Sequence, residues 1–306
     1  DVFYEGGNLR TMTGPPMKII LKEGAKPYAC HVVRSIAPRI RQKVEKMLYD
    51  LVDDGVIERV RDRPTAWCHP MVVVPKPDGD VRITTDFTKL NEQCERPVHH
   101  ARTPIDAVTD RTLGARFFTT LDAKCGYFQL ELDEESRDMT TFMTPFGRFR
   151  YLRAPMGYLG TGDVYNLRGD IAMEGLKQVV KIVDDIRAED LTYQEHIDRV
   201  RCVLERCRKH GITINPKKFK FAQKKVKFAG YIISREGVEA DPDKLRAKTD
   251  FPRPADISQL RSFMGMVNHL SNFSSEISRA ATPLRDLMKK KNEFAWDSAH
   301  DMAFEE

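Results

Sequence analysis

The residues best suited to chemistry are two adjacent carboxylates, Asp184-Asp185, which end the β-branched apolar run Val179-Val180-Lys181-Ile182-Val183. Such a run predicts a buried strand, and Asp suits the tight turn that would stop it. Taken alone, the pair reads as an acidic turn. A second run, Phe117-Phe118-Thr119-Thr120-Leu121, ends on Asp122 in the same way. Hard divalent cations take carboxylate oxygens held on rigid elements. Three carboxylates at one sheet end would hold two Mg²⁺ ions about 4 Å apart, the arrangement for in-line attack at phosphorus. Such a site lowers the pKa of an attacking hydroxyl and neutralises a leaving pyrophosphate. It needs no covalent nucleophile, and the chain carries no Ser-His-Asp or Cys-His signature.

These strand ends need a scaffold to bring them together. Residues 1–34 read as an extended lead-in broken by Gly6-Gly7 and Gly14-Pro15-Pro16. A helix follows, with Pro38 in its first turn, the stripe Ile40, Val44, Met47, Leu48 and Leu51, and Gly55 as its stop. Pro70–Val74 and Val81–Asp86 predict a hairpin around Pro77-Asp78-Gly79, with Lys76 at the tip and Arg82 just past it. The two cations are either surface charges on a turn or a flap that closes on a phosphate chain. Tyr127–Leu132 reads as a further strand, and Met139–Thr144 with Arg148–Arg153 as another hairpin. A helix is expected over 161–176. Thr192 and Glu195 predict a capping box on a helix that buries Ile197, Val200, Leu204 and Cys207 and ends at Gly211. Ile212–Ile214 and Val226–Ile233 read as short strands. From Asp241 on the pattern is helical, with Asp256 and Gln259 capping a helix that carries Leu260, Phe263, Met264, Val267 and Leu270. Irregular alternation with hairpins argues α+β: an antiparallel sheet covered by helices on one side.

The chain has 306 residues, 41% hydrophobic and 31% charged, which suits two or three subdomains with a charged surface. No apolar run approaches the roughly 18 residues that span a bilayer, and the residues from Asp1 on do not read as a basic-then-apolar leader. Asp1 stands where a Met would, so the chain is expected to be a piece of a longer protein. Six scattered Cys with no CxxC argue against a zinc module and a disulfide framework and for a reducing intracellular setting. The net charge of +5 says little, but Lys217, Lys218, Lys220, Lys224, Lys225 and Lys227 crowd one segment with Phe219, Phe221 and Phe228. Interleaved cations and aromatics suit a nucleic-acid backbone, and suit a solvated amphipathic hairpin equally well.

Several motifs together resemble one family. Leu121-Asp122-Ala123-Lys124-Cys125-Gly126-Tyr127-Phe128-Gln129-Leu130 resembles the LDxxxGYxQI motif of reverse transcriptases. Val72–Gly79, Arg82, Asp86-Phe87 and Leu90-Asn91 resemble their fingers motif, and Ile182-Val183-Asp184-Asp185 stands at the Tyr-x-Asp-Asp box. Val226-Lys227-Phe228-Ala229-Gly230-Tyr231 resembles the primer-grip region. Leu260-Arg261-Ser262-Phe263-Met264-Gly265 resembles the thumb motif of gypsy-type (Metaviridae-like) long-terminal-repeat retrotransposons. The motifs cover nearly the whole chain in the family's order.

The resemblance implies a right-hand polymerase fold. The fingers would be 35–97 and 130–160, the palm 98–129 and 161–236, the thumb 237–290, and the start of a connection to RNase H 291–306. It implies an RNA- and DNA-directed DNA polymerase that extends a primer from dNTPs with two Mg²⁺ ions, Mn²⁺ being a substitute. Asp122 and Asp184 would be the principal metal ligands with Asp185 beside them. Lys76 and Arg82 would hold the triphosphate, Tyr127 would exclude a 2′-hydroxyl, Met156-Gly157 would shape the nucleotide pocket, and Lys218 would donate a proton to pyrophosphate. Ile182, Val183, Lys224, Lys225, Lys227, Phe228, Gly230 and Tyr231 would contact primer and template. The implied setting is a pol polyprotein with RNase H and integrase domains, cytoplasmic in virus-like particles and also nuclear. Three positions depart from the pattern: Ile182 replaces the box Tyr, Arg187 stands where an apolar residue is usual, and Tyr158–Gly162 differs from the commoner GLxNAPxxF. They leave two readings, an active lineage variant and a decayed copy that still binds nucleic acid. The surviving carboxylates favour activity.

Overall fold

The computed structural model describes residues 2–7, 9–61, 63–75, 79–99, 102–242, 246, 251–270, 275–289 and 294–305. Its strands are β1 (Ile57–Val60), β2 (His69–Pro75), β3 (Val81–Thr85), β4 (Phe117–Asp122), β5 (Phe142–Thr144), β6 (Gly147–Tyr151), β7 (Val179–Ile182), β8 (Asp185–Asp190), β9 (Lys220–Gln223), β10 (Lys225–Phe228), β11 (Tyr231–Ser234) and β12 (Val238–Ala240). They form three sheets, ordered β1-β6-β5-β2-β3, β7-β8-β4-β9 and β10-β11-β12. Every pairing is antiparallel except β2 with β5.

The four-stranded sheet carries the acidic strand ends. The first helices are α1 (Pro38–Asp53), α2 (Thr88–Glu92), α3 (Pro104–Thr109), α4 (Glu134–Arg137), α5 (Thr161–Met173) and α6 (Tyr193–Lys209), of which α5 and α6 share a core with Leu121 and Ile186 from one face of this sheet. Phe118 and Val180, from the other face, pack with Val226, Phe228, Tyr231 and Ile233 of the three-stranded sheet. Strand alternation therefore sends β4 and β8 side chains into two different cores. The opposite face is closed by β10–β12 together with the short helix Pro104–Thr109, whose Ala107 and Val108 are buried in the same core, so helices cover both faces and not one as expected. The predicted capping box forms in full at Thr192 and Glu195. Val200 and Cys207 are buried as expected, and so are His196 and Val203. His196 belongs to a polar clamp on the sheet: Nε2 is 2.6 Å from Thr119 Oγ1, and Nδ1 is 2.8 Å from Asp190 Oδ2.

Other elements differ from the sequence reading. Tyr127–Leu132 is not a strand. Gly126–Gln129 is a 3₁₀ turn, entered through Cys125 in the left-handed region at φ 49°. Gln129 is consequently buried, and it brackets Thr213 by donating to its carbonyl at 2.9 Å and accepting from its amide at 2.9 Å. Val226–Ile233 is a hairpin turning at Ala229-Gly230, both at positive φ. Helix 161–176 ends at Met173. The lead-in is a strap: Phe3 bridges to Ile214, Met17 to Leu132, Leu21 to Cys94 and Ala29 to Cys68. Val2, Leu9, Met12, Met17 and Ile19 bury its apolar side.

Helix α1 (Pro38–Asp53) buries Val44 and Leu48 of its predicted stripe. The β2–β3 hairpin is as expected, but its tip, Lys76 with Pro77 and Asp78, lies outside the described residues. Strand β12 carries the third sheet past residue 236. Helices Ile257–Leu270, Ser275–Ala280, Thr282–Leu287 and Ser298–Glu305 follow. Leu260, Phe263, Met264 and Val267 enter a separate core with Leu284 and Leu287, and Trp296 packs on its edge. The side chain of Leu270 lies outside the described residues. No described helix is long and apolar enough to cross a membrane.

His69, at the start of β2, is fully buried; its Nε2 is 3.0 Å from Met139 O. Burial pushes its pKa from 6.5 down to about 4. Above the unfolded value the ring is neutral in both states and carries no penalty. As pH falls through this window the unfolded chain takes a proton that the folded chain refuses. Stability should therefore drop by up to ~3 kcal/mol on acidification. His69→Gln keeps a donor for Met139 O. It should lower stability at neutral pH and flatten the slope of the urea midpoint between about pH 6.5 and 4. Parallel slopes for the two proteins would contradict this account.

Candidate active site

The pairing of β4 with β8 sets Asp122 directly opposite Asp185, so two carboxylates share one sheet end. Asp184 lies in the β7–β8 turn, and its carbonyl accepts from Ala123 N at 2.8 Å. That bond ties the turn to the residue after Asp122. The turn is only two residues long, closed by the Ile182–Asp185 pair. Its left-handed position falls on Val183, at φ 48°, and on neither Asp. A β-branched residue there is strained by about 1–3 kcal/mol, a cost found mainly at functional sites. Strand alternation stops at Ile182, which packs on the second core, while Val183 is exposed.

Asp122, Asp184, Arg82, Tyr127, Met156 and Lys218 line one cleft of about 570 Å³. Its wall includes Met47 and Leu51 of α1 and the turn 123–126. Lys218 Nζ donates to Asp122 Oδ2 at 2.7 Å, and this bond to the carboxylate raises the Lys218 pKa. Burial raises the pKa of both Asp184 and Asp185, and the Asp122 charge raises each further. Gly157, at φ 92°, does not line the cleft; it fixes the turn behind Met156 by accepting at its carbonyl from Asn91 Nδ2 at 2.9 Å.

The donor chemistry fits a hard divalent cation. Among the described residues the buried Asp184 Oδ1 meets no partner with hydrogen-bond geometry, although the Tyr165 hydroxyl lies against this carboxylate. No group of three His, Cys, Asp or Glu side chains among the described residues is gathered into a metal cluster.

The basic segment is less uniform than its sequence. Lys224 lies over the Phe117 ring at 3.7 Å, Lys225 pairs with Glu239 at 2.8 Å, and Lys227 pairs with Asp241. Phe228 and Tyr231 are core residues, which leaves Ala229 and Gly230 as the turn between them. Lys76 lies outside the described residues.

Sequence reasoning missed Tyr165 and Lys181. Tyr165 is buried on α5 with its hydroxyl against the Asp184 carboxylate and its ring edge-on to Tyr127 at 5.3 Å. Its signal was the i, i+4 series Thr161, Tyr165, Gly169, which marks the inward face of α5. Lys181 is sequestered beneath, where Nζ is 3.1 Å from Asp170 Oδ1 in space that Gly169 leaves open. Arg187, the charged departure from the family pattern, is fully buried.

Gly126 is required by close approach. A Cβ there would collide with Asp184 Oδ1 and sit 2.5 Å from the Tyr165 hydroxyl. Gly126→Ala should destabilise the fold by about 1–3 kcal/mol, the usual cost of overpacking. Urea unfolding checks it; an unchanged midpoint would mean that the Asp184 carboxylate swings away at no cost.

A family model described as reverse transcriptase (RNA-dependent DNA polymerase) matches residues 74–233, just over half of the chain. The chain is 30% identical over 257 residues to the retrovirus-related Pol polyprotein from transposon opus of Drosophila melanogaster, covering 82% of this chain and 25% of that protein. Against the corresponding protein from transposon gypsy of the same organism the identity is 28%, over 81% of this chain and 24% of that protein. The chain thus spans about a quarter of the length of these relatives. The foamy viral protease-reverse transcriptase solved in complex with dsDNA matches with a TM-score of 0.85 at 21% identity, over 97% of this chain and 62% of that one. The same viral protein in complex with RNA/DNA hybrid matches at 0.82 and 19%, over 99% and 41%. These likenesses establish the right-hand polymerase fold, and reverse transcriptases generally use divalent metal ions. The chain belongs to the reverse transcriptase family, in the group of long-terminal-repeat retrotransposons to which gypsy belongs.

Proposed function

We propose that this chain is an RNA- and DNA-directed DNA polymerase that extends a primer from dNTPs. The observation that carries the reading is convergence: residues from three separate sequence motifs, Arg82, Asp122 with Tyr127, and Asp184, line one cleft together with Lys218. Asp122, Asp184 and Asp185 would hold two Mg²⁺ ions, with Mn²⁺ as a substitute. Such ions stabilise the charge that develops on the attacking and leaving oxygens. Arg82, with Lys76, would neutralise the triphosphate. Lys218, which reaches Asp122, would follow the pyrophosphate and give it a proton. Tyr127 would stand under the sugar and exclude a 2′-hydroxyl, with Met156 shaping the pocket beside it and Gly157 fixing the turn behind Met156.

Ile182 and Val183 would face the primer terminus, with the Ala229-Gly230 turn held by the buried Phe228 and Tyr231. Lys224, Lys225 and Lys227 would supply phosphate contacts, the last two by exchanging their carboxylate partners for phosphates. On this reading the fingers are 35–97 and 130–160, the palm 98–129 and 161–236, the thumb 237–290, and 291–306 leads toward a connection. The curated relatives are polyproteins, so RNase H and integrase domains are the expected companions. Virus-like particles in the cytoplasm, and the nucleus, are the expected settings.

With Mg²⁺ or Mn²⁺ the chain should extend a DNA primer on RNA and DNA templates. Outer-shell changes at metal sites already cost roughly 10- to 100-fold, so Asp122→Asn and Asp184→Asn should each lose more than about 100-fold. Both variants should still bind primer–template. Robust extension by either variant would sink the assignment, and binding without extension by the wild type would establish a binding module.

Tyr127→Val should raise the ratio of ribo- to deoxynucleotide incorporation by about tenfold or more, the scale of a 1–3 kcal/mol steric discrimination. Single-nucleotide insertion assays give the ratio. If it does not rise, Tyr127 serves only to pack against Tyr165.

A further inference from the structure

Arg187 and Glu189 are alternate residues of β8, and both are wholly buried. Their cross-strand neighbours Val180 and Phe118 lie in the core beneath β10–β12. Arg187 Nε is 3.3 Å from Glu189 Oε2, and its Nη2 donates to Asp110 O at 2.6 Å. The guanidinium lies 5.1 Å from the centre of the Phe228 ring, the last residue before the Ala229-Gly230 turn. Thr112 N donates to Glu189 Oε1. Between these two anchors, Arg111 Nη2 reaches Ser234 O at 3.3 Å and Arg235 O at 3.4 Å. The segment Asp110–Thr112 is thus fastened on one side to the strand that begins at Asp185 and on the other to the end of β11.

This is a costly way to fill a core. Among the described residues Arg187 Nε and Nη1 and Glu189 Oε2 have no hydrogen-bond partner. Apolar residues of similar volume commonly replace such a pair at no loss of stability, so stability alone does not account for it. A charged pair does fix a geometry, because leaving either charge alone in the interior is severely unfavourable.

We propose that the buried Arg187–Glu189 pair locks the β10–β12 sheet to the catalytic strand β8, making Arg187 a positioning residue for the primer terminus. The inference rests on the polymerase reading of the site and of the Ala229-Gly230 turn. A shift of either sheet against the other would move the primer 3′ end relative to Asp184 and Asp185 without altering the carboxylates.

The decisive variant is Arg187→Met/Glu189→Leu, which removes both charges and keeps the volume. It should unfold close to the wild-type midpoint, while Arg187→Met alone should be strongly destabilised. With a 2-aminopurine at the primer terminus, the double variant should give a changed fluorescence in the binary complex with primer–template. Its single-nucleotide extension rate should fall roughly 10- to 100-fold, the cost of a displacement on the order of 1 Å, with little change in KM for dNTP. Wild-type fluorescence and rate in the folded double variant would overturn the proposal. If the double variant does not fold, Arg111→Gln decides, since it cuts the link to Ser234 and Arg235 without stranding a buried charge. A changed terminus signal then supports the proposal, and an unchanged one overturns it. The fluorescence needs no incorporation, so an inactive wild type would sink only the polymerase reading.

Discussion

The Asp122–Asp185 ladder pair is the constraint around which the site is built. Like charges opposite each other in an antiparallel sheet destabilise it, and here both residues border a partly buried sheet end. The cost is offset locally by Lys218, which reaches Asp122 from the 3₁₀ turn Pro216–Lys218. Lys181 adds a sequestered positive charge that favours ionisation of Asp184. Strain at Val183 is part of the same cost, because a two-residue turn is what holds Asp184 next to Asp185.

Rigidity around the pair comes from the sheet having two covered faces. One is clamped to α6 through Thr119, His196 and Asp190, with Arg199 donating to Asp190 at 2.7 Å. The other is closed by the three-stranded sheet with a buried Arg187 between them. The strap formed by the first residues adds a third restraint. Tyr4 N reaches Ile214 O at 2.9 Å, and Met12 N reaches Gln129 O at 2.7 Å. Both bonds act on segments next to the cleft, since Asn215 N in turn donates to Asp122 O at 2.8 Å.

Much of this was legible from local chemistry. The α6 capping box, the α1 stripe, the β2–β3 hairpin and the acidic end of β4 follow from residue type at fixed spacing, and short-range interactions decide those features. Tyr127–Leu132 misled because a short apolar run fits a strand and a buried turn alike. The outcome was set by Cys125 adopting the left-handed conformation and by Gln129 binding Thr213, a partner far along the chain. The Val226–Ile233 run hid its turn for a related reason: Ala229 carries no turn signature, and the reversal is fixed by pairing with β11 and β12.

The sequence by itself determined the donor types, their placement at strand ends and the family. Backbone propensity and side-chain chemistry are properties of the local chain. Tertiary structure alone decided which carboxylates face each other, that Val183 bears the turn strain, and that Phe228 and Tyr231 turn inward while Lys225 and Lys227 find carboxylate partners. It also decided that Arg187 is interior and that Tyr165 stands against Asp184. The facing of Asp122 with Asp185 depends on register between strands distant in sequence, where a one-residue slip would send every side chain to the opposite face, and the rest depends on how turns and helices pack against that sheet.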